Sequence, residues 1–503
     1  MSSAILSIDQ GTSASKAVLV DAGGLVVARG SAPVSARYPR PGWVEQDAEE
    51  IWQSVLMAVD RCLAEAPDAM PVALAIANQR ESAVVWRRSD GAPAGPVIGW
   101  QDNRTEADCE RLRAEGHEDV VRATTGLGLD PMFSATKLQR LLEAAPGGLD
   151  AAERGDLCAG TIDSWLVWKL TGGQVYACEA GNAARTQLMN LRRATWDPGM
   201  LDLFGIPAAA LPEIRPSDGG FGQTAATGPI PSSCPVAAVL ADSHAALYAH
   251  GAFAPGAGKA TFGTGSSVMA PVSDPAGGDD GVARTLAWLT DEPTWALEGN
   301  IIATGAALDW MGRTLGVAGG AELEALAEGV TTTEGVHFVP AFAGLGAPHW
   351  DRGASGLILG VSQGTTRGQL ALSAFEAVTH QVSDVMDAMD QASGRPLEVL
   401  HADGGASASP LAMQLQADVS GRPVRASTVA EMSALGAAHM AGASCGLWAG
   451  EAQLAALPRP STDFEPHLPE GERQARRAQW HAAVARARDR AADADAIRVT
   501  AGV

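Results

Sequence analysis

Positive charge is scarce in this chain of 503 residues: 36 lysines and arginines face 58 aspartates and glutamates, a formal net charge of −22. That balance excludes a general basic face for nucleic acid or an anionic membrane. A local anion site stays open to it, because backbone amides and a few cations suffice there. Cysteine builds no framework either. The six (Cys62, Cys109, Cys158, Cys178, Cys234, Cys445) are scattered, with no C-x-x-C pair and no histidine cluster at metal-ligand spacing. They read as reduced thiols, which points to a reducing cytoplasm. A basic n-region followed by an apolar h-region is missing, and no apolar window reaches the length of a membrane span. The expectation is a cytoplasmic globular protein without a membrane or nucleic-acid partner.

What is present fits an α/β protein rich in turns: 46 % hydrophobic residues, 57 glycines and 29 prolines. The length exceeds what one core usually serves, so two domains of similar size are expected. Composition turns to Gly, Ala and Pro around residues 251–258, which sets the boundary between 1–250 and 251–503.

The chain is organised around residues 5–21. Apolar runs at 5–8 and 17–20 flank a polar turn that carries Asp9, Gly11, Thr12, Ser13 and Lys16. This is a strand-turn-strand pattern, followed by a third run at 25–28. A turn rich in Gly, Thr and Ser presents N–H groups and hydroxyls to phosphate oxygens. Asp9, at a strand's end, suits a hydrated Mg²⁺, which takes one or two carboxylates plus substrate phosphates. An ordinary hairpin has the same local pattern. Residues 259–267, Lys-Ala-Thr-Phe-Gly-Thr-Gly-Ser-Ser, repeat the logic in the second half. Duplicated domains gripping one polyphosphate from both sides are the expectation.

Between these turns, Asp47 with Glu50 reads as a capping box for a helix carrying Ile51, Val55, Val59 and Leu63. Residues 72–77 read as a buried strand ending at Asn78-Gln-Arg-Glu81, and 83–86 resume the strand pattern. Arg80 and Glu81 suit vicinal hydroxyls, the guanidinium donating and the carboxylate accepting; a surface ion pair at a turn is the alternative. Trp100 offers a flat wall to a polyol, or simply fills core. Residues 236–240 read as a strand ending at Asp242, a general-base position ahead of a small-residue helix, with His244 structural. Residues 356–376 form a turn feeding a long amphipathic helix, and Asp403-Gly-Gly-Ala406 lets a flat ring lie against the backbone. The tail, 471–493, reads as an exposed helix docked through Trp480 and Val484.

Five stretches carry a family resemblance: Asp-Gln-Gly-Thr-Ser (9–13), Tyr-Pro-Arg-Pro-Gly-Trp-Val-Glu (38–45), Asn-Gln-Arg-Glu (78–81), Pro-Ala-Phe-Ala-Gly-Leu-Gly-Ala-Pro-His-Trp-Asp (340–351) and Asp-Gly-Gly-Ala (403–406). With 356–376, which fits a family signature, the chain resembles the FGGY carbohydrate kinases, most closely the glycerol kinase branch, from residue 5 to about 448. The resemblance implies an α/β fold of two actin-like (ribonuclease H-like) domains facing across a cleft. The first would hold sugar or polyol, the second nucleotide, and the activity would be phosphorylation of a hydroxyl with ATP and Mg²⁺. By this resemblance Asp242 is the base, and Asp9 with Asp242 serves the metal. Thr12, Ser13, Lys16 and Thr264 would contact phosphates, with Lys16 standing where glycerol kinases usually carry Arg. Gly305, Gly405 and Ser409 would line the nucleoside, and Arg80, Glu81 and Trp100 the substrate. Homo-oligomers are common among similar kinases.

The pocket departs from the glycerol kinase pattern at four positions. Met132 replaces a tyrosine, Ser243 and His244 replace two glutamines, and Ser267 replaces a phenylalanine. Losing an aromatic wall and gaining hydroxyls implies a longer, more polar pocket, hence a polyol or ketose of four or five carbons. A pentulose kinase is one alternative, and a non-catalytic actin-like ATP-binding sugar sensor another. Residues 222–235 lack the basic loop that serves a feedback effector in some glycerol kinases, so inhibition by fructose 1,6-bisphosphate is not expected.

Overall fold

A computed structural model describes residues 2–278 and 280–489. The first sheet contains β1 (Ser2–Gln10), β2 (Ala14–Asp21), β3 (Val26–Pro33), β4 (Ala69–Asn78) and β5 (Val236–Ala241), in the order β5-β4-β1-β2-β3. The apolar runs of residues 5–21 thus form the expected hairpin, with β1 antiparallel to β2 and parallel to β4. The second sheet contains β6 (Ala257–Phe262), β7 (Ser266–Val272), β8 (Ala283–Leu289), β9 (Pro293–Ile301), β10 (Val399–Asp403), β11 (Val424–Ser427) and β12 (Ser461–Phe464). Its order is β8-β9-β7-β6-β10-β11-β12. Omitting the edge strands β8 and β12, the succession β9-β7-β6-β10-β11 reproduces β3-β2-β1-β4-β5. Antiparallel and parallel pairs fall in the same places. The two similar turns in the sequence therefore sit at matching places in two like-ordered sheets.

Alternation along the strands separates the two faces of the first sheet. Leu6, Ile8, Leu74 and Ile76 pack toward α1 (Ala48–Glu65), while Ile5, Ala73, Ala75 and Ala77 pack toward α2 (Asp242–Ala249). The second half adds α3 (Gly305–Leu315), α4 (Arg367–Ser393), α5 (Pro410–Ser420), α6 (Met432–Ser444) and α7 (Glu470–Arg488). Asp47 caps α1 by accepting the Glu49 and Glu50 amides, but the box is not closed. The Glu50 carboxylate instead accepts the Ser35 amide at 2.9 Å. The complete capping box belongs to α4, between Thr366 and Gln369.

The strand expected at residues 83–86 is present, in another sheet. Ala83–Arg87 does not continue β4; it joins Glu45–Gln46, Val97–Ile98 and Leu157–Thr161 in a separate four-stranded sheet. Residues 79–82 are the link between sheets, and Glu81 turns there with φ of 62°. The tail helix docks as expected, with Trp480 and Val484 buried and Trp480 Nε1 donating to Asp384 at 2.7 Å. It is described to Arg488, and the part of the expected helix at 490–493 lies outside the described residues. No helix among the described residues is long and apolar enough to cross a membrane.

Helix α6 belongs to the second half of the chain yet packs with α2 against the first sheet. It lies so close to α2 that a Cβ at Gly436 would stand 1.8 Å from the Ala245 carbonyl oxygen. Trp448 then anchors the following turn by donating from Nε1 to the Ala22 carbonyl at 3.0 Å. Gly436→Leu is expected to destabilise the protein by roughly 1–3 kcal/mol or more through overpacking, read as a lowered urea midpoint. An unchanged midpoint would mean that α6 seats differently.

Candidate active site

Asp9 and Leu240 both pair with Ala77 of β4, the strand between β1 and β5, so β1 and β5 end on the same side of the sheet. Asp242 follows two residues later as the first residue of α2. The Asp9 carboxylate has no hydrogen-bond donor among the described residues. Its low-polarity surroundings raise its pKa to about 7, Asp242 and Glu431 adding to the effect and Lys16, its cross-strand neighbour, opposing. Burial likewise raises Asp242 above the ordinary carboxylate range, with Arg80 opposing and Glu81 reinforcing. Asp242 accepts the Ser243 amide at 2.6 Å and lies 3.3 Å from Arg80 Nε.

Arg80 is not a surface residue, nor is it a free fork for a diol. Its two terminal nitrogens meet the two oxygens of Glu298, on β9, at 2.7 and 2.9 Å. The same carboxylate meets Arg185 at 2.8 Å, and Arg185 Nε donates to Glu81 at 2.7 Å. Arg185 and Glu298 are fully buried, and Arg80 and Glu81 nearly so, 8 % and 4 % exposed. Burial opposes the charge on Glu298, but the two guanidiniums reverse that effect and hold its carboxyl well below the usual range. Ser267 joins the cluster by donating to Glu298 at 3.1 Å. Sequence reasoning assigned no role to Arg185 or Glu298. The available signal was a lone charge inside an apolar or small-residue run, in Asn-Ala-Ala-Arg (182–185) and Trp-Ala-Leu-Glu (295–298). A charge so placed must find a partner if it is buried.

Trp100 donates from Nε1 to Thr12 Oγ1 at 2.9 Å, which ties the aromatic wall to the first turn. The Met132 loop is fixed from beneath by Lys137. This fully buried ammonium donates to the Met132 carbonyl at 2.7 Å and to the Gly99 carbonyl at 3.2 Å. Arg352, from the second half, reaches Asp130 at 2.7 Å and Glu106 at 3.0 Å in the first half. Asp130 also accepts the Met132 amide, at 2.8 Å. His244 is fully buried, and neither ring nitrogen has a hydrogen-bond partner among the described residues.

In the second half, the Thr264 carbonyl accepts the Thr304 and Ala306 amides, each at 3.0 Å. Gly305 lies against the same turn, where a Cβ would stand 2.6 Å from the Gly263 oxygen. In Asp403-Gly-Gly-Ala406 the demanding glycine is Gly404, with φ of 91° and the Phe262 backbone 2.7 Å from a Cβ position, whereas Gly405 faces open space. The Ser409 hydroxyl is already engaged. It caps α5 through the Ala412 amide and donates to Glu324 at 2.7 Å. Ser13 and Lys16 lie on the first turn and on β2, Lys16 opposite Asp9.

Among the described residues no group of three or more His, Cys, Asp or Glu side chains forms a metal cage. Two carboxylates on the same side of the sheet, one of them without a donor, still match the hard oxygen donors of a Mg²⁺ that keeps its waters and takes phosphate. Arg185→Met is expected to cost about 3–5 kcal/mol in urea unfolding, because Glu81 and Glu298 lose a buried partner. The Glu298 carboxyl is depressed by folding, so its contribution is present above the ordinary glutamate value of 4.5 and is lost as pH falls through the folded value. Glu298→Gln should flatten that acid limb of a stability–pH curve, and a limb unchanged in the variant would count against the assignment.

Two family models match the chain: the N-terminal domain of the FGGY family of carbohydrate kinases over residues 4–249, and its C-terminal domain over 258–445. A glycerol kinase of Thermus brockianus is 47 % identical over 491 residues, covering 96 % of this chain and 98 % of the relative. An apulose kinase of Pectobacterium atrosepticum is 43 % identical over 486 residues, again covering 96 % and 98 %. In structure the chain is similar to a Plasmodium falciparum glycerol kinase solved with ADP, with a TM-score of 0.91, 28 % identity, and 97 % and 98 % of the two chains covered. The two-domain actin-like fold and the activity of an ATP-dependent carbohydrate kinase follow, and the chain belongs to the FGGY family of carbohydrate kinases.

Proposed function

We propose that this kinase phosphorylates a hydroxyl of a polyol or ketose of four or five carbons, with Asp242 as the base. The observation that carries the substrate reading is the wall around Asp242. Ser243 follows it directly, and Ser267 reaches the Glu298 cluster that also holds Arg80. These hydroxyls can accept or donate to a longer polar chain, and buried polar groups favour a ligand that pairs with them. Trp100, Met132, Glu81 and Arg80 complete the pocket, Glu81 accepting from substrate hydroxyls while Arg80 positions Asp242.

In phosphoryl transfer the protein mainly positions reactants and balances charge. The raised pKa of Asp242 brings its basicity closer to neutral pH, which suits taking a proton from the attacking hydroxyl. Asp9 and Asp242 would hold Mg²⁺, which would neutralise phosphate charge. Thr12, Ser13, Lys16 and Thr264 would meet the phosphates, and Gly305, Gly405 and Ser409 the nucleoside. We assign substrate binding to residues 1–250, nucleotide binding to 251–503, and the reaction to the cytoplasm, a reading supported by six cysteines that are all free. Closure of the halves excludes water, which would otherwise take the phosphoryl group.

The Thermus relative favours a second reading, with glycerol itself as substrate. An ADP-release assay across glycerol, the tetritols, the pentitols and the ketopentoses separates the two. We expect kcat/KM to be highest for a C4 or C5 substrate, and a clear preference for glycerol would overturn the wide-pocket reading. Asp242→Asn is expected to lower kcat by about 10²–10⁴-fold while calorimetry shows nearly unchanged nucleotide binding. Near-normal turnover would remove Asp242 from the base role.

A further inference from the structure

A cavity of about 330 Å³ lies away from the active cleft, on the opposite side of the second sheet from α4 and α5. Leu400, Ala402, Val424 and Ala426 face the core shared with those helices, so His401 and Arg425 alternate onto the other face. Three stretches where the chain passes between the halves border this space: His250 after α2, the run from Ser427 into α6, and Arg459 ahead of β12. The volume is at the lower end for small-molecule sites, which run from roughly 300 to 1,000 Å³.

In a chain that is otherwise strongly acidic, the lining sets two arginines, Arg425 and Arg459, against one carboxylate, Asp463, with the imidazoles of His250 and His401 beside them. Arg459 donates only to backbone carbonyls, of Ala249, Leu454, Ala455 and Leu457, and no carboxylate pairs with it among the described residues. Arg425 meets Asp463 only at 3.9 Å, with both side chains more than half exposed, a loose pair that an incoming anion can displace. His401 feels this environment. Burial first, then His250, Arg425 and Arg459, push its pKa down to about 3 against the opposing Asp403, so this ring is neutral near pH 7 and the positive charge of the lining rests on the arginines.

We propose that this cavity is a second, non-catalytic binding site for a small phosphate-bearing anion, recognised chiefly by Arg425. The site has a direct route to the cleft. His250 shares a hydrogen bond of 2.7 Å with Asp403, the residue that leads into Gly404 and Gly405. His250 also ends the helix that Asp242 begins. An anion seated here therefore alters nucleotide affinity through the Asp403 turn. This coupling rests on the proposed nucleotide role of that turn, whereas binding at the cavity does not.

The test titrates inorganic phosphate by calorimetry into enzyme whose cleft is filled with the β,γ-imido analogue of ATP. Wild type should bind one phosphate per chain, and Arg425→Gln should weaken it about tenfold or more, the loss of a charge-assisted contact. Without phosphate the variant should keep its kcat, since Arg425 touches nothing in the cleft. In steady-state assays phosphate should shift KM for ATP in wild type and leave it unmoved in the variant. No binding, or binding indifferent to Arg425→Gln and to the charge reversal Arg425→Glu, would overturn the site. Binding lost in the variants without any KM shift would support the site and overturn its coupling. The calorimetric arm needs no turnover, so a failed kinase assay leaves it intact.

Discussion

One carboxylate, Glu298, sits between two arginines of the other half of the chain, and the cleft is arranged around that contact. Arg80, Arg185, Glu81 and Glu298 are buried together, and none is tolerable there without the others. Because Glu298 comes from the second half and its partners from the first, the cluster is satisfied only when both halves meet. Arg80 then holds Asp242, and Arg185 holds Glu81. The position of the Asp242 carboxylate is thus set through a buried charge cluster that spans both halves. Arg352 makes a more exposed bridge to the loop of Met132, so the halves are joined at the buried cluster and again at that loop.

Much of this was legible in the sequence where the determinants are local. The hairpin at residues 5–21, the Asp47 cap and the helix after residue 366 follow from apolar periodicity and short-range hydrogen bonding. The Glu298 cluster was not, because its partners lie 104 and 218 positions apart and no periodicity links them. The same gap left Arg80 and Glu81 readable only as a diol grip or a surface ion pair, not as members of a buried cluster. The strand at Ala83–Arg87 was legible but its sheet was not, since a strand's pattern shows its buried face and not which sheet it joins. The capping box assigned to Glu50 failed for a related reason, as Ser35 competes for that carboxylate from another element.

Repetition of strand order gives two modest turns matching places in the two halves. Each turn alone is an ordinary hairpin with glycine and hydroxyls. They stand at matching positions of two like-ordered sheets, and the residues around them differ between the halves. Beside the first turn stand Asp9 and Trp100, beside the second the closely packed glycines Gly305 and Gly404.

The return of α6 to the first sheet has a mechanical meaning. The chain passes between the halves at 250–257, at 428–431 and again near 458–460, and all three passages lie on one side of the molecule. A single connector would act as a swivel and let the halves twist or slide. Three connectors side by side act as the spine of a book, leaving rotation about one line as the soft motion. A molecule held between the pages then keeps its position along the spine as they close, so the alignment of donor and acceptor is settled before the chemistry begins.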